Sequence, residues 1–289
     1  MSDFKSNMWA EEEYVDGSFI MRYRLKNTLF RGKSEFQAVE VVETEGHGKM
    51  LFNDSLAMIS EKDEFIYHDM ITHVPMFVHP NPKNVLVIGG GDGGTAREVL
   101  RHPGVEKCVM VEIDKMVCDA CYEHIPQTSK VFDNPKLDLK YEDGVAYVKN
   151  TKEVFDVILV DSTDPIGPAT PLFGEEFYKD VYNCLSEDGI VVSQGESPFF
   201  NQDMQKKLLS ILKNNFEISS IYNFSNLTYP GGLWSFTFGS KKYHPVKDFK
   251  ADKVLDSGME FGYYNEEIHK AAFCLPQFMR KELKDFIKA

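Results

Sequence analysis

Carboxylates recur in this sequence directly after short apolar runs. Residues 85–88 lead into GGGDGG with Asp92 inside it, Val109-Met110-Val111 into Glu112, residues 136–141 into Glu142-Asp143-Gly144, residues 154–160 into Asp161-Ser162-Thr163-Asp164, and residues 189–193 into Gln194-Gly195-Glu196. If these runs are parallel strands, all the acids fall at the carboxyl edge of one sheet, where open α/β proteins bind ligands. Taken singly, each acid is as readily a cap or turn former, as with Asp164 before Pro165 and Asp143 before Gly144. Taken together, they predict a crevice that demands positive charge, because buried unpaired carboxylates are costly. A divalent metal answers that demand poorly: the acids are spread over five strand ends, and no histidine joins them at ligand spacing. An organic cation answers it better.

The glycine loop narrows the ligand. Gly89, Gly91 and Gly94 satisfy G-x-G-x-x-G, and Glu112 follows 18 residues after Gly94, about where a ribose-binding acid belongs. Asp92 opposes a pyrophosphate in this loop, since like charges about 4 Å apart repel by roughly 4 kcal/mol at an effective dielectric near 20. A nicotinamide dinucleotide is therefore the weakest reading. A nucleoside that carries its own cation fits: Glu112 can hold the ribose hydroxyls, Asp143 can accept from an adenine amino group, and a sulfonium supplies charge.

The elements that would position these groups are legible along the chain. Residues 18–60 alternate in polarity around the turn Glu45-Gly46-His47-Gly48 and read as a meander of short antiparallel strands. Ser60-x-x-Asp63 opens a helix of about 12 residues, EFIYHDMITHVP, with Phe65, Ile66, Met70 and Val74 facing inward and Tyr67 and His68 at the boundary. Strands and helices then alternate to residue 239, with a rigid loop or lid around Pro165, Gly167, Pro168, Pro171 and Gly174, and with YPGG before a last strand starting near Trp234. The fold class is α/β: a Rossmann sheet of methyltransferase type, residues 61–289, behind a small β domain, residues 1–60. The last 45 or so residues read as loop plus one short helix.

Composition bounds the partners. The 45 acidic against 32 basic residues give a net charge of −13, which disfavours nucleic acid and anionic membrane and attracts cationic small molecules. Five scattered cysteines suggest reduced thiols rather than a disulfide framework, and Cys118-x-x-Cys121 lacks the second pair a zinc site needs. The N-terminal residues show neither a basic nor an apolar leader region, and no stretch suits a membrane span, so a cytoplasmic protein is expected.

GGGDGG, VEID, EDG, DSTDP, QGESP and YPGG, with EFIYHDM and NEEIHKAAFCLP, stand in one colinear order over nearly the whole chain. The set resembles the spermidine synthases, the aminopropyltransferase family of polyamine biosynthesis. The resemblance implies decarboxylated S-adenosylmethionine as donor, putrescine as acceptor, and a homodimer or homotetramer. Gln37, Gly89, Asp92, Glu112, Asp143 and Gly144 would then serve the donor; Tyr67, His68, Asp92, Asp161, Asp164 and Tyr229 would serve the acceptor. Asp161 is the expected general base, helped by Tyr67, and Gln194 and Glu196 are expected to reach the far ammonium. Trp234 is expected to wall the methylenes, and Met58 and Trp234 depart from the residues of some relatives. The displacement this implies requires neither metal nor redox cofactor. The alternatives are an amine N-methyltransferase using intact S-adenosylmethionine and a non-catalytic polyamine-binding protein.

Overall fold

The computed structural model describes residues 8–14, 16–165 and 167–289. Residues 1–7 of the expected leaderless N-terminus and Ile166 of the expected lid lie outside the described residues. Strands β1 (Trp9–Tyr14), β2 (Phe19–Lys33), β3 (Ala38–Thr44), β4 (Gly48–Asn53) and β5 (Leu56–Ser60) form an antiparallel meander in chain order. Its alternating residues Val39, Val41, Leu51 and Ile59 pack against the second sheet's helix at Lys115–His124. Strand β1 was not expected, because Glu11-Glu12-Glu13 has poor strand propensity. Pairing with β2 overrides this: Glu11 and Glu13 stay exposed while Glu12 turns inward.

The second sheet contains β6 (Asn84–Gly89), β7 (Lys107–Glu112), β8 (Leu137–Tyr141), β9 (Phe155–Asp161), β10 (Leu185–Gln194), β11 (Ile218–Ser225) and β12 (Leu233–Ser240). They lie in the order β11-β12-β10-β9-β6-β7-β8, with only β12 antiparallel to its neighbours. The chain steps outward one way through β7 and β8 and returns through β9, so the direction reverses between β6 and β9. That reversal opens the ligand crevice of a doubly wound sheet.

Helix α1 (Glu64–Val78) joins the two sheets and is three residues longer than the sequence pattern indicates, carrying Pro75 inside its last turn. Thirteen of its fifteen residues are buried, so no single inward face exists. Tyr67 and His68 are core positions rather than boundary ones, and Phe65 and Ile66 are the half-buried pair. Asp63 does not cap this helix. Its carboxylate accepts from the hydroxyls of Ser60 (2.5 Å) and Thr228 (2.6 Å) and from the backbone N–H groups of Leu227 (2.7 Å) and Thr228 (2.9 Å). It thereby fastens the loop before YPGG to the start of α1.

The rigid segment after Asp164 folds as a 3-10 helix at Gly167–Phe173, followed by a helix at Glu175–Cys184. The C-terminal residues hold three short helices, Ala251–Leu255, Glu266–Ala272 and Gln277–Leu283, rather than one. All five cysteines are free. Among the described residues no helix is long and apolar enough to cross a membrane.

Asp63→Ala would leave several buried donors unpaired, each costing about 1–3 kcal/mol. We expect a loss of about 2–4 kcal/mol in chemical denaturation, with Asp63→Asn in between. A loss below about 1 kcal/mol would show that the loop is held by its other contacts.

Candidate active site

The crevice begins where β6 meets β9. Gly89 pairs with Asp161 across the sheet, and Gly90 N–H donates to the Asp161 carbonyl at 2.9 Å. Gly89 has φ +80°, and a Cβ there would fall 2.1 Å from that carbonyl oxygen, so only glycine permits this approach. Beyond these strand ends lies a cavity of about 270 Å³, roofed by the β domain through Phe36, Leu51 and Ile59 and floored by the glycine loop.

One half of the cavity is lined by Gln37, Glu112, Asp143 and Gly144. Glu112 is buried at the end of β7; its Oε1 accepts from Asp114 N–H at 2.8 Å, which aims the carboxylate back over Gly91. Burial, with Asp114, Asp161 and Asp92 nearby, pushes its carboxyl up to about 7. Gln37 reaches the same corner and donates to Asp114 at 3.0 Å. Asp143 stands exposed at the rim, caps the helix Gly144–Asn150 through Val145 N–H at 2.8 Å, and still lines the cavity. Gly144 is tight against Ile88, where a Cβ would come within 2.5 Å.

The middle of the cavity is an acidic knot. Asp161 accepts from the Tyr67 hydroxyl at 2.8 Å through one oxygen and from the Thr95 hydroxyl at 2.6 Å through the other. Burial first, and Asp92 second, raise the Asp161 carboxyl above its ordinary range, while His68, Thr95 and Tyr67 pull it down. Asp92 accepts from Gly94 N–H at 2.8 Å, so it does serve the helix start; its Oδ1 also faces His68 Nε2 at 3.3 Å. His68 lies on Gly94, where a Cβ would sit 2.1 Å from the ring. The third glycine of the motif thus makes room for an imidazole.

The far half is acidic too. Asp164 accepts from Gln194 at 3.2 Å, and the same Gln194 nitrogen reaches Glu196 at 3.0 Å. Glu196 lies behind Gln194, fully buried, held by Asn201 as well, and does not line the cavity. The expected placement of Glu196 at the cavity is therefore not met, and Gln194 links it to Asp164. Tyr229 donates to the Met58 carbonyl at 2.9 Å, and its ring stands 5.8 Å from Tyr67 and 5.2 Å from Trp234. Trp234 is both a buried strand residue and part of the cavity lining, and its indole N–H has no partner.

Sequence reasoning missed Glu12, Tyr14, Thr95 and Glu64. Glu12 and Tyr14 come from β1 and line the cavity near Asp164. Burial pushes Glu12 up to about 8, and its Oε2 has no partner. The alternation in WAEEEY was the available signal, hidden by three consecutive glutamates.

Residues 64–251 match the spermine/spermidine synthase domain and residues 8–61 the spermidine synthase tetramerisation domain. The chain belongs to this family. It is 46% identical to a polyamine aminopropyltransferase of Methanocaldococcus jannaschii, covering 98% of this chain and 97% of the relative, and 42% identical to that of Thermotoga maritima, covering 96% and 95%. Among solved structures it is similar to a spermidine synthase in complex with the transition-state analogue AdoDATO, with TM-score 0.94, 43% identity and coverage of 96% and 95%. The spermidine synthase of Thermotoga maritima follows at TM-score 0.92 and 42% identity, covering 96% and 94%. The expected methyltransferase-like α/β fold and the family resemblance are both borne out.

Asp164 (about 6), Glu112 (about 7), Glu12 and Glu196 (both about 8) all have folded-state values above their ordinary ones. Each costs nothing below its unfolded pKa, and the cost grows as pH rises to the folded value. His68, raised to about 10, loses stabilisation over the rising range above its unfolded value, in the same direction. Butane-1,4-diammonium should offset the carboxylate cost. We expect its gain in melting temperature to be larger at about pH 8.5 than at about pH 5.5; equal gains would contradict an acid-lined amine site.

Proposed function

We propose that the chain is a spermidine synthase that transfers the aminopropyl group of decarboxylated S-adenosylmethionine to putrescine, releasing 5'-methylthioadenosine. The observation that carries this reading is the position of Asp161. With Tyr67 and Thr95 fixing its two oxygens, it sits between a nucleoside-type half and an acidic far half of one cavity. Glu112 and Gln37 hold the donor's ribose end, Asp143 and Gly144 its adenine, and Gly89 lets the sulfonium approach the sheet edge. Asp92, backed by His68, lies where the donor's ammonium and the attacking amine meet. Tyr229 and Trp234 wall the methylenes, and Asp164, backed by Gln194 and Glu196, faces the far ammonium together with Glu12.

An alkylammonium with a pKa near 10 is no nucleophile. Asp161, raised by burial, accepts its proton; Tyr67 donates to the same carboxylate and orients it. The amine lone pair forms a bond to the methylene beside sulfur, the carbon–sulfur bond breaks, and its electron pair neutralises the sulfonium to a thioether. The leaving group's charge is already present in the donor, so the chemistry requires no Lewis acid or redox partner. Holding the two substrates in line supplies much of the rate. Intact S-adenosylmethionine would bring a carboxylate toward Asp92, which disfavours the methyltransferase reading. We further propose that the chain works in the cytoplasm, in keeping with its free cysteines, and as a homodimer or homotetramer, in keeping with its match to the tetramerisation domain.

Incubation with both donors and putrescine, followed by mass analysis, tests the reaction: a gain of one aminopropyl group supports it, and a gain of one methyl group overturns it. Asp161→Asn should lower kcat by about 10²–10⁴-fold while donor binding persists, as for loss of a general base. Retention of a third or more of kcat would remove Asp161 from that role.

A further inference from the structure

Behind the acidic knot stands a second set of charges that the reaction scheme does not use. Glu64, the first residue of α1, is buried, and its Oε2 lies 2.5 Å from His68 Nδ1. Arg97 grips both Glu64 oxygens at 2.9 Å and is itself held by Glu98 at 2.8 Å and the Gln127 carbonyl at 3.1 Å. His68 Nε2 faces Asp92, and the ring fills the space a side chain at position 94 would take. Both ring nitrogens therefore meet carboxylates, an arrangement that only the imidazolium satisfies with two N–H donors.

We propose that Glu64, clamped by Arg97, is a positioning residue: it holds His68 as an imidazolium against Asp92, so that the neighbouring Asp161 can be a carboxylate. The inference rests on the aminopropyl-transfer reading for its catalytic consequence, and on geometry alone for the charge state. The need is physical. Asp92 raises the Asp161 carboxyl, Glu112 adds negative charge from β7, and His68 is the cation among the groups that act on Asp161. One side-chain atom each of His68, Asp92 and Asp161 lies within 4.8 Å of the others; without the His68 cation the neighbouring Asp92 favours a proton on Asp161, and that proton occupies the base. Tyr67 and Tyr229, the other titratable neighbours of Asp161, are both pushed up by burial and stay protonated, and Tyr67 donates to Asp161. His68 is raised to about 10 by Asp92 and Glu64 against its burial, in keeping with this state.

Glu64→Gln keeps the shape and removes the charge. The expected result has two parts. Nitrogen NMR of the His68 ring shows an imidazolium in the wild-type enzyme at neutral pH and a ring that titrates at least about ten times more readily in the variant. The acidic limb of the kcat profile moves to higher pH, because Asp161 now retains its proton, so kcat falls near neutrality and recovers on the alkaline side. A merely structural role would lower kcat equally at every pH and leave the limb in place; that result overturns the proposal. A neutral His68 in the wild-type enzyme at pH 7 overturns it without any variant, which covers the case of a Glu64→Gln protein that does not fold. Product mass from the wild-type enzyme separates the two readings. Aminopropyl transfer with an unmoved limb refutes the relay alone, whereas a shifted His68 titration without aminopropyl product refutes the reaction alone.

Discussion

The structure depends on one electrostatic constraint: several carboxylates are buried around a cavity with too few cations to pair them. Glu12, Asp161, Asp164, Glu112 and Glu196 are all raised, and for each the leading cause is burial. Such an arrangement persists only where the fold pins the acids from outside and a ligand brings the missing charge. The pinning is visible in each case. Asp114 N–H holds Glu112, Tyr67 and Thr95 hold Asp161, Gln194 and Asn201 hold Glu196, and the Glu64–His68 pair backs Asp92.

Helix α1 makes this possible. It carries Glu64, Tyr67 and His68 on successive turns between the two sheets, and Asp63 ahead of it fastens the loop that brings Tyr229 over the cavity. The same helix supplies core packing through Met70, Ile71 and Val74, so the site's geometry is as rigid as the core itself. Functional side chains set on a buried helix lose little orientational freedom when substrate arrives.

The doubly wound sheet and its acidic edge were legible in the sequence because both follow from local pattern: apolar runs, glycine turns, and an acid after each run. Asp92, Glu112, Asp161 and Asp164 all came to one cavity for that reason. What was not legible depended on long-range pairing. Strand β1 is extended because it pairs with β2, so Glu12 and Tyr14 were invisible as site residues. Ser60-x-x-Asp63 looked like a helix start, but besides Ser60 the partners of the Asp63 carboxylate are 164 and 165 residues away. Glu196 looked like a ligand contact because it follows a strand, yet its positive φ of 66° turns it behind Gln194. Gly94 read as the last glycine of G-x-G-x-x-G beside a nucleoside, and the group that needs its missing side chain is His68.

The central claim is that Asp92 selects a donor by the charge at the end of its propyl arm. Calorimetry with decarboxylated and intact S-adenosylmethionine, on the wild-type protein and on Asp92→Asn, measures it most directly. Losing a charge-assisted contact costs on the order of 1.5–3 kcal/mol, so the wild-type preference for the decarboxylated donor should shrink by roughly ten-fold or more in the variant. An unchanged ratio of the two affinities would contradict the account and leave Asp92 as a cap for the helix at Gly94–Arg101.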